Sequence, residues 1–318
     1  MDFSLSEAQS SRRALGRSLA AGLGATWSAA DVIGRARGAG IYAGAADIVA
    51  DVVLLESMAA ESAAPAVALA LHTTVARTAP AHLTAELVGS VALTSDPVPV
   101  LERGTLIGRA VWLAPVRGKG VAVVGARAGE ELVACALPLD AAGVVVQPVE
   151  TNGLEGLSCA HLELSGAACE PLGSPQPVMA LARLLLAAVG LGMGRRALRE
   201  ALAAARAYER HGPGGEQTVQ GLLADAATEL DAATVVTWHA ARSPVVDLAD
   251  ASMAKLLATE AAQGAVLRAT QVVGLGSFER GHVLERLSQD VRALELFAGR
   301  TEALREAVAD RVLPRAVR

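Results

Sequence analysis

Two changes of texture along the chain constrain its fold more than any single motif. Up to about residue 82, and again after Gly173-Ser174-Pro175, apolar residues recur at three-to-four spacing, the period of a helix with a buried face. Between these stretches, from Leu87 to Leu164, short β-branched segments are punctuated by glycine and proline. Candidate strands there are residues 88–93, 105–112, 120–126, 132–138, 144–148 and 160–164. This spacing predicts antiparallel strands in a small barrel or sandwich. Val121-Ala122-Val123-Val124 and Val144-Val145-Val146 are unbroken apolar runs, so both strands are expected to be buried on both faces.

In the first part, Ser4 or Ser6 can cap a helix striped by Leu5, Ala8, Leu15 and Leu19. Further helices are expected over 28–38, with Asp31 in the first turn, over 45–62, and from Pro65 onward. In the last part the helical windows are about 177–209, 216–242, 247–273, 282–297 and 301–312. Gly212-Pro213-Gly214-Gly215 breaks the first pair and Ser243-Pro244 the next. Helices of this length with short connections pack as an antiparallel bundle. The expectation is an α+β, mostly α chain. Its parts are an N-terminal helical domain (1–82), a middle antiparallel β domain (83–172) and a C-terminal helical bundle (173–318).

Composition narrows the function classes. Hydrophobic residues fill 52% of 318 positions and charged residues 19%, which excludes a disordered chain. Three Trp, two Tyr and three Phe are too few to build the core, so Ala, Leu and Val must, as suits closely approaching helices. With 28 Lys+Arg against 33 Asp+Glu the net charge is −5, and no basic stripe is interleaved with aromatics; no nucleic-acid partner is expected. Cys135, Cys159 and Cys169 are too dispersed for a disulfide framework and form no C-x-x-C pair, which fits a reduced, cytoplasmic setting. The opening Met1-Asp2-Phe3-Ser4-Leu5-Ser6-Glu7 carries an acid rather than a basic n-region, so no signal peptide is expected. The longest apolar stretch, residues 177–194, is interrupted by Arg183 and rich in glycine, which predicts a buried helix and no membrane partner.

Local strings sharpen the picture. The bundle carries Glu209-Arg210, then Gln217-Thr218-Val219-Gln220-Gly221-Leu222-Leu223-Ala224-Asp225, Ala254-Lys255, Gln271-Val272-Val273-Gly274 and Gln289-Asp290-Val291-Arg292. Leu157-Ser158-Cys159-Ala160-His161-Leu162-Glu163-Leu164 precedes the last linker. In this order and spacing, together with the opening string, the chain resembles the acyl-CoA dehydrogenase family over essentially its whole length.

The resemblance implies a flavoenzyme that oxidises an acyl-CoA thioester to its 2,3-enoyl form. A glutamate removes the α-proton and FAD takes the β-hydride, in a site that excludes water. The family's base lies in a Glu-Gly-Thr segment that aligns with Ala298-Gly299-Arg300, so the base position is Ala298, and a methyl group takes no proton. Some members place the base near residues 183–185, which hold no acid here. Glu302, four residues beyond Ala298, is a weak substitute if the helix has begun. The family arginine that reaches FAD phosphate is Arg210, followed by a shortened glycine turn. The glycine-rich turn near the cofactor reads Gly274-Leu275-Gly276-Ser277, and the family's Thr-Glu-Pro loop reads Thr94-Ser95-Asp96-Pro97. The tryptophan that packs on the flavin is Trp112, in Trp112-Leu113-Ala114. Gln217 and Gln271 would line a cofactor groove offered to a neighbouring subunit. The expected cofactor residues are therefore Trp112, Arg210, Gln217, Gln271 and Gly274, with no metal site.

Each of these has an ordinary structural reading beside it. Arg210 at a helix end also suits the macrodipole, Trp112 could anchor a core, and the glutamines could tie helix ends. His72, His161 and His239 lack metal-like spacing and read as structural; His211 and His282 read as solvated. Ser158 and Cys159 lack a nucleophile context. Gly190-Leu191-Gly192-Met193-Gly194 follows no strand and reads as close helix packing rather than a dinucleotide site.

Three functional readings follow. The first is one subunit of a heteromeric acyl-CoA dehydrogenase, paired with a complete subunit in a heterotetramer, as in enzymes of steroid or lipid metabolism. FAD would then be held mainly by the partner. The second is a stand-alone dehydratase, cyclase or isomerase acting on a thioester-bound intermediate, as a homo-oligomer. The third is a structural partner that has lost FAD.

Overall fold

The computed structural model describes residues 4–23, 26–43, 46–84, 87–94, 96–116, 119–208 and 216–313. Helix α1 (Glu7–Ala21) opens with a reciprocal cap in which Ser6 Oγ accepts the Gln9 N–H and the Gln9 side chain accepts the Ser6 N–H. Ser28 and Asp47 cap α2 (Ala29–Gly38) and α3 (Ile48–Ala59) in the same side-chain-to-backbone manner. In α4 (Ala63–Thr78), residues 63–75 are all buried, matching a sequence with no polar stripe. A single-turn α5 (Ala81–Thr84) leads into the sheet.

Among the described residues the middle of the chain forms eight strands: β1 (Val88–Ala92), β2 (Val100–Glu102), β3 (Thr105–Leu113), β4 (Gly120–Ala128), β5 (Glu131–Pro138), β6 (Val144–Val149), β7 (Cys159–Ala168) and β8 (Glu170–Gly173). Their order is β6-β7-β3-β2-β4-β5-β8, with β1 beside β4. The expectation of a purely antiparallel module is corrected here. β1 pairs with β4 in parallel, from Val88↔Gly120 to Ala92↔Val124, so the sheet is mixed. The chain crosses through β2 and β3 between these two strands, which allows a parallel return. Residues 120–126 of β4 are buried throughout, as their apolar run implies. The second apolar run is different: β6 is an edge strand and Val145 is 58% exposed.

The C-terminal part is a bundle of α6 (Gln176–Tyr208), α7 (Glu216–Ala241), α8 (Leu248–Val273), α9 (Val283–Leu296) and α10 (Thr301–Val312), with a 3-10 turn (Gly274–Phe278) after α8. Helix α6 is the axis, packed against α3, α4, α7, α8 and α9. It is long and apolar enough to cross a membrane, yet 89% of its most apolar window is buried by these neighbours. Its glycines explain the packing. A Cβ on Gly192 would lie 2.2 Å from Glu56 O, and one on Gly194 would lie 2.4 Å from Leu230 Cδ2. The glycine run is close helix contact.

Candidate functional site

The turn between α9 and α10 carries Ala298, the position to which the resemblance assigns the base. Phe297 leaves the helix in an extended conformation, Ala298 turns left-handed at φ 54, and Gly299 follows at φ 110 before α10 begins. Two buried cations hold this turn from behind. Arg183, on α6, donates from Nε to Ala298 O at 3.0 Å and from Nη1 to Ser252 Oγ at 2.7 Å. Lys255, on α8, donates from Nζ to Glu295 O and to Gly299 O, both at 2.9 Å. Arg183 is 5% exposed and Lys255 fully buried. Loss of water lowers the pKa of both, Arg183 to about 10 and Lys255 to about 7, with the Arg183 charge adding to the effect on Lys255.

No carboxylate neutralises either cation at contact distance among the described residues. The nearby Glu295 is engaged elsewhere, accepting from Thr301 Oγ1 at 2.7 Å and Gln263 Nε2 at 2.6 Å. The Thr301 hydrogen bond, foremost, holds its carboxyl below the usual range. The turn thus presents a methyl group, backbone and two satisfied cations. No carboxylate stands at position 298 to abstract a proton from carbon.

Glu302 does not complete the site. It lies in the first turn of α10, its side chain is 71% exposed, and its carboxylate is 3.7 Å from Arg300 Nε. Ala298 precedes the helix in a left-handed conformation, so the two residues do not share the helical face that a four-residue spacing suggests.

The expected cofactor residues fall into two groups. Trp112 stands on β3, 53% exposed and itself left-handed at φ 58. Gln217 and Gln271 are exposed at the N-terminus of α7 and the C-terminus of α8, the same end of an antiparallel pair. Gly274 ends α8 at φ 74 and ψ −149, a conformation open to glycine, and its carbonyl accepts Ser277 Oγ at 2.7 Å. Leu275 and Phe278 of this turn are 87% and 68% exposed. β3 packs on β1, β2, β4 and β7, whereas α7 and α8 pack on each other and on α6, so the two groups have different surroundings. Arg210, the shortened turn after it and His211 lie outside the described residues, as does Ser95. An exposed aromatic face and a glycine turn open to approach fit a flavin; the turn at Ala298 does not fit proton abstraction.

Two cavities adjoin each other through Glu155 and Gly156. One of about 460 Å³ is lined by Trp27, Glu61, Arg196, Arg286 and Asp290; the other, about 720 Å³, by Val116, Val146, Pro148, Ser158 and Ala160. Arg196 lies thirteen residues along α6 from Arg183, roughly 20 Å at helical rise, while Asp290 sets the same cavity against α9, the helix that ends at the Ala298 turn. Asp290 accepts the Leu154 N–H at 2.5 Å and ties the 153–158 loop to α9; burial pushes its carboxyl up to about 6.

The remaining histidines and nucleophiles have structural work. His72 Nδ1 accepts the Gly89 N–H at 2.9 Å, and His282 caps α9 through the Leu284 N–H rather than standing free in solvent. Burial pushes the Cys159 thiol up to about 11, away from a reactive thiolate. Among the described residues no cluster of His, Cys, Asp and Glu is arranged to hold a metal. Sequence reasoning missed the roles of Arg183 and Lys255. For Arg183 the available signal was a charge inside the longest apolar stretch.

The acyl-CoA dehydrogenase C-terminal domain family matches residues 175–313. The C-terminal bundle, residues 175–313, belongs to this domain family. Relatives by sequence include a 3-(aryl)acrylate reductase of Clostridium sporogenes, 28% identical over 200 residues covering 61% of this chain and 53% of the relative. A 3-sulfinopropanoyl-CoA desulfinase of Paraburkholderia xenovorans is 30% identical over 191 residues, 55% of this chain and 49% of the relative. These matches span about half the length of each relative. The fold extends further. Butyryl-CoA dehydrogenase from Megasphaera elsdenii superposes with a TM-score of 0.85 at 16% identity, over 98% of this chain and 100% of that one. A steroid ACAD described as Tcur3481-Tcur3483, in a G363A variant, superposes at 0.81 with 21% identity, over 97% and 98%.

Proposed function

We propose that this chain is the shortened, base-less subunit of a flavin-dependent heteromeric acyl-CoA dehydrogenase in the cytoplasm. Its substrate would be an acyl thioester, oxidised to the 2,3-enoyl form. The observation that carries this reading is the Ala298 turn. Its left-handed backbone is held by Arg183 and Lys255, yet its side chain ends at a methyl group. An architecture preserved around a missing carboxylate is what a subunit needs when a complete partner abstracts the proton. The likeness to the steroid ACAD Tcur3481-Tcur3483, described by two gene products, supports it.

FAD, held mainly by the partner, would supply the acceptor for the substrate's β-hydride. Trp112 offers an aromatic face to its ring system. The open Gly274 turn admits close backbone approach, and Gln217 and Gln271 offer amide donors at the end of the α7–α8 pair. Arg210 is assigned to cofactor phosphate by the family resemblance. Co-expression with the product of the neighbouring gene tests the proposal. The expected result is a hetero-oligomer that oxidises an acyl-CoA. A stable homo-oligomer of this chain beside a partner fully active alone would contradict it.

A second reading is favoured by one comparison and one feature of the site. The similarity to a desulfinase, together with two buried cations where an acid is expected, suits a stand-alone non-oxidative enzyme on an acyl thioester. Turnover by the purified chain without bound flavin would select this reading.

A further inference from the structure

The β3–β7 ladder pairs Ala110 with Leu162 and then resumes at Leu113 with Ala160. Two residues of β3, Val111 and Trp112, therefore stand opposite one residue of β7, His161. This is a bulge, a device that twists a strand and re-aims a side chain. Trp112 takes the left-handed conformation at φ 58, one that a bulky residue adopts at a cost. Its N–H, turned out of the strand ladder, donates to His161 Nδ1 at 3.2 Å. The two rings meet edge to face, with centroids 5.2 Å apart and planes at 88°. The indole stays 53% exposed, presented outward rather than folded onto the sheet.

We propose that His161 is the positioning residue for Trp112, fixing the bulged backbone through the N–H bond and the indole plane through the ring contact. The indole is thereby held ready to stack a planar ligand. The inference rests on the reading of Trp112 as the flavin-facing side chain. Accepting at Nδ1 requires a neutral imidazole with its proton on Nε2. The charged groups around it are Arg109 on β3 and Glu163 on β7, themselves paired at 3.1 Å, while β6 sets uncharged Gln147 opposite. Burial and then the Arg109 charge hold His161 below the ordinary histidine range, so the acceptor persists at neutral pH. Acidification turns Nδ1 into a donor and breaks the bond.

The test reads Trp112 emission and anisotropy in the full chain, taken as the difference from a Trp112→Phe variant that leaves Trp27 and Trp238. His161→Phe, which keeps a ring but loses the acceptor, should shift the emission and lower the anisotropy at pH 7.5. His161→Asn, whose amide oxygen accepts but which lacks the ring, should recover part of the emission shift and abolish the acid transition that the parent is expected to show below the ordinary histidine range. Added FAD, with the chain alone and in complex, should quench Trp112 in parent and His161→Asn, and bind roughly tenfold more weakly to His161→Phe. Unchanged emission and anisotropy in His161→Phe, or failure of His161→Asn to recover any of the shift, overturns the positioning role. Emission changes as expected with no quenching by FAD in any form uphold that role and overturn the flavin reading of Trp112.

Discussion

Arg183 Nε donates to the carbonyl oxygen of Ala298 across 115 residues of sequence, tying the central helix of the bundle to the turn that precedes α10. The same guanidinium reaches Ser252, so one side chain fastens α6, α8 and the α9–α10 turn together. Replacing it by Met leaves the Ala298 carbonyl and the Ser252 hydroxyl without this donor. Arg183→Met should lose about 1–3 kcal/mol in urea unfolding. A loss near zero would show that the turn is held by Lys255 alone.

Ala298 itself is strained. A left-handed conformation costs an L-residue about 1–2 kcal/mol that glycine avoids. Ala298→Gly should therefore unfold at higher temperature despite its added freedom in the unfolded chain, and Ala298→Val at lower temperature. Calorimetry of the two variants checks the order. Reversal would mean that the turn relaxes out of the left-handed region.

Lys255 makes stability depend on pH in a definite sense. Buried, its pKa is lowered to about 7; in the unfolded chain it stays protonated to about pH 10. Between these values the unfolded state binds the proton and the folded state does not, so this residue's contribution rises with pH and is lowest below pH 7. Lys255→Met removes the titration. The stability of the parent relative to the variant should climb from pH 7 to 9, by at most about 1.4 kcal/mol per pH unit. Denaturation at pH 6, 7.5 and 9 measures it, and a constant difference would rule the effect out.

Gly192 lets α6 approach α3 at a distance no side chain tolerates, with a Cβ 2.2 Å from Glu56 O and 2.7 Å from the Ala59 methyl. Gly192→Ala should destabilise by about 1–3 kcal/mol, as overpacking does. Gly221→Ala, where nothing lies within 4 Å, serves as the control and should be neutral or stabilising.

The helices were the most legible part of the sequence. The windows 216–242, 247–273 and 301–312 match α7, α8 and α10 within a residue or two, because long periodic segments ended by Gly, Pro or an Asp cap carry local information. β2 and β8 were not legible: three or four residues, with Pro171 inside β8, are too short for a period to show. The parallel β1–β4 pairing and the exposure of Val145 depend on which strand lies alongside, a non-local property. At the site, Ala298 and Trp112 could be placed by family likeness, but their supports could not. Arg183 and His161 act through partners 115 and 49 residues away. Glu302 misled because a one-residue matter, where α10 begins, decides whether it shares a face with position 298.

The measurement that bears most directly on the dependent-subunit account is the visible absorption spectrum of this chain, purified alone and after co-expression with its neighbour, before and after anaerobic addition of an acyl-CoA. The account predicts flavin bands in the co-purified complex that bleach with the thioester, and a chain that alone bleaches none. A chain that on its own retains flavin and bleaches it with acyl-CoA would contradict the account, because some other acid in this subunit would then be starting the reaction.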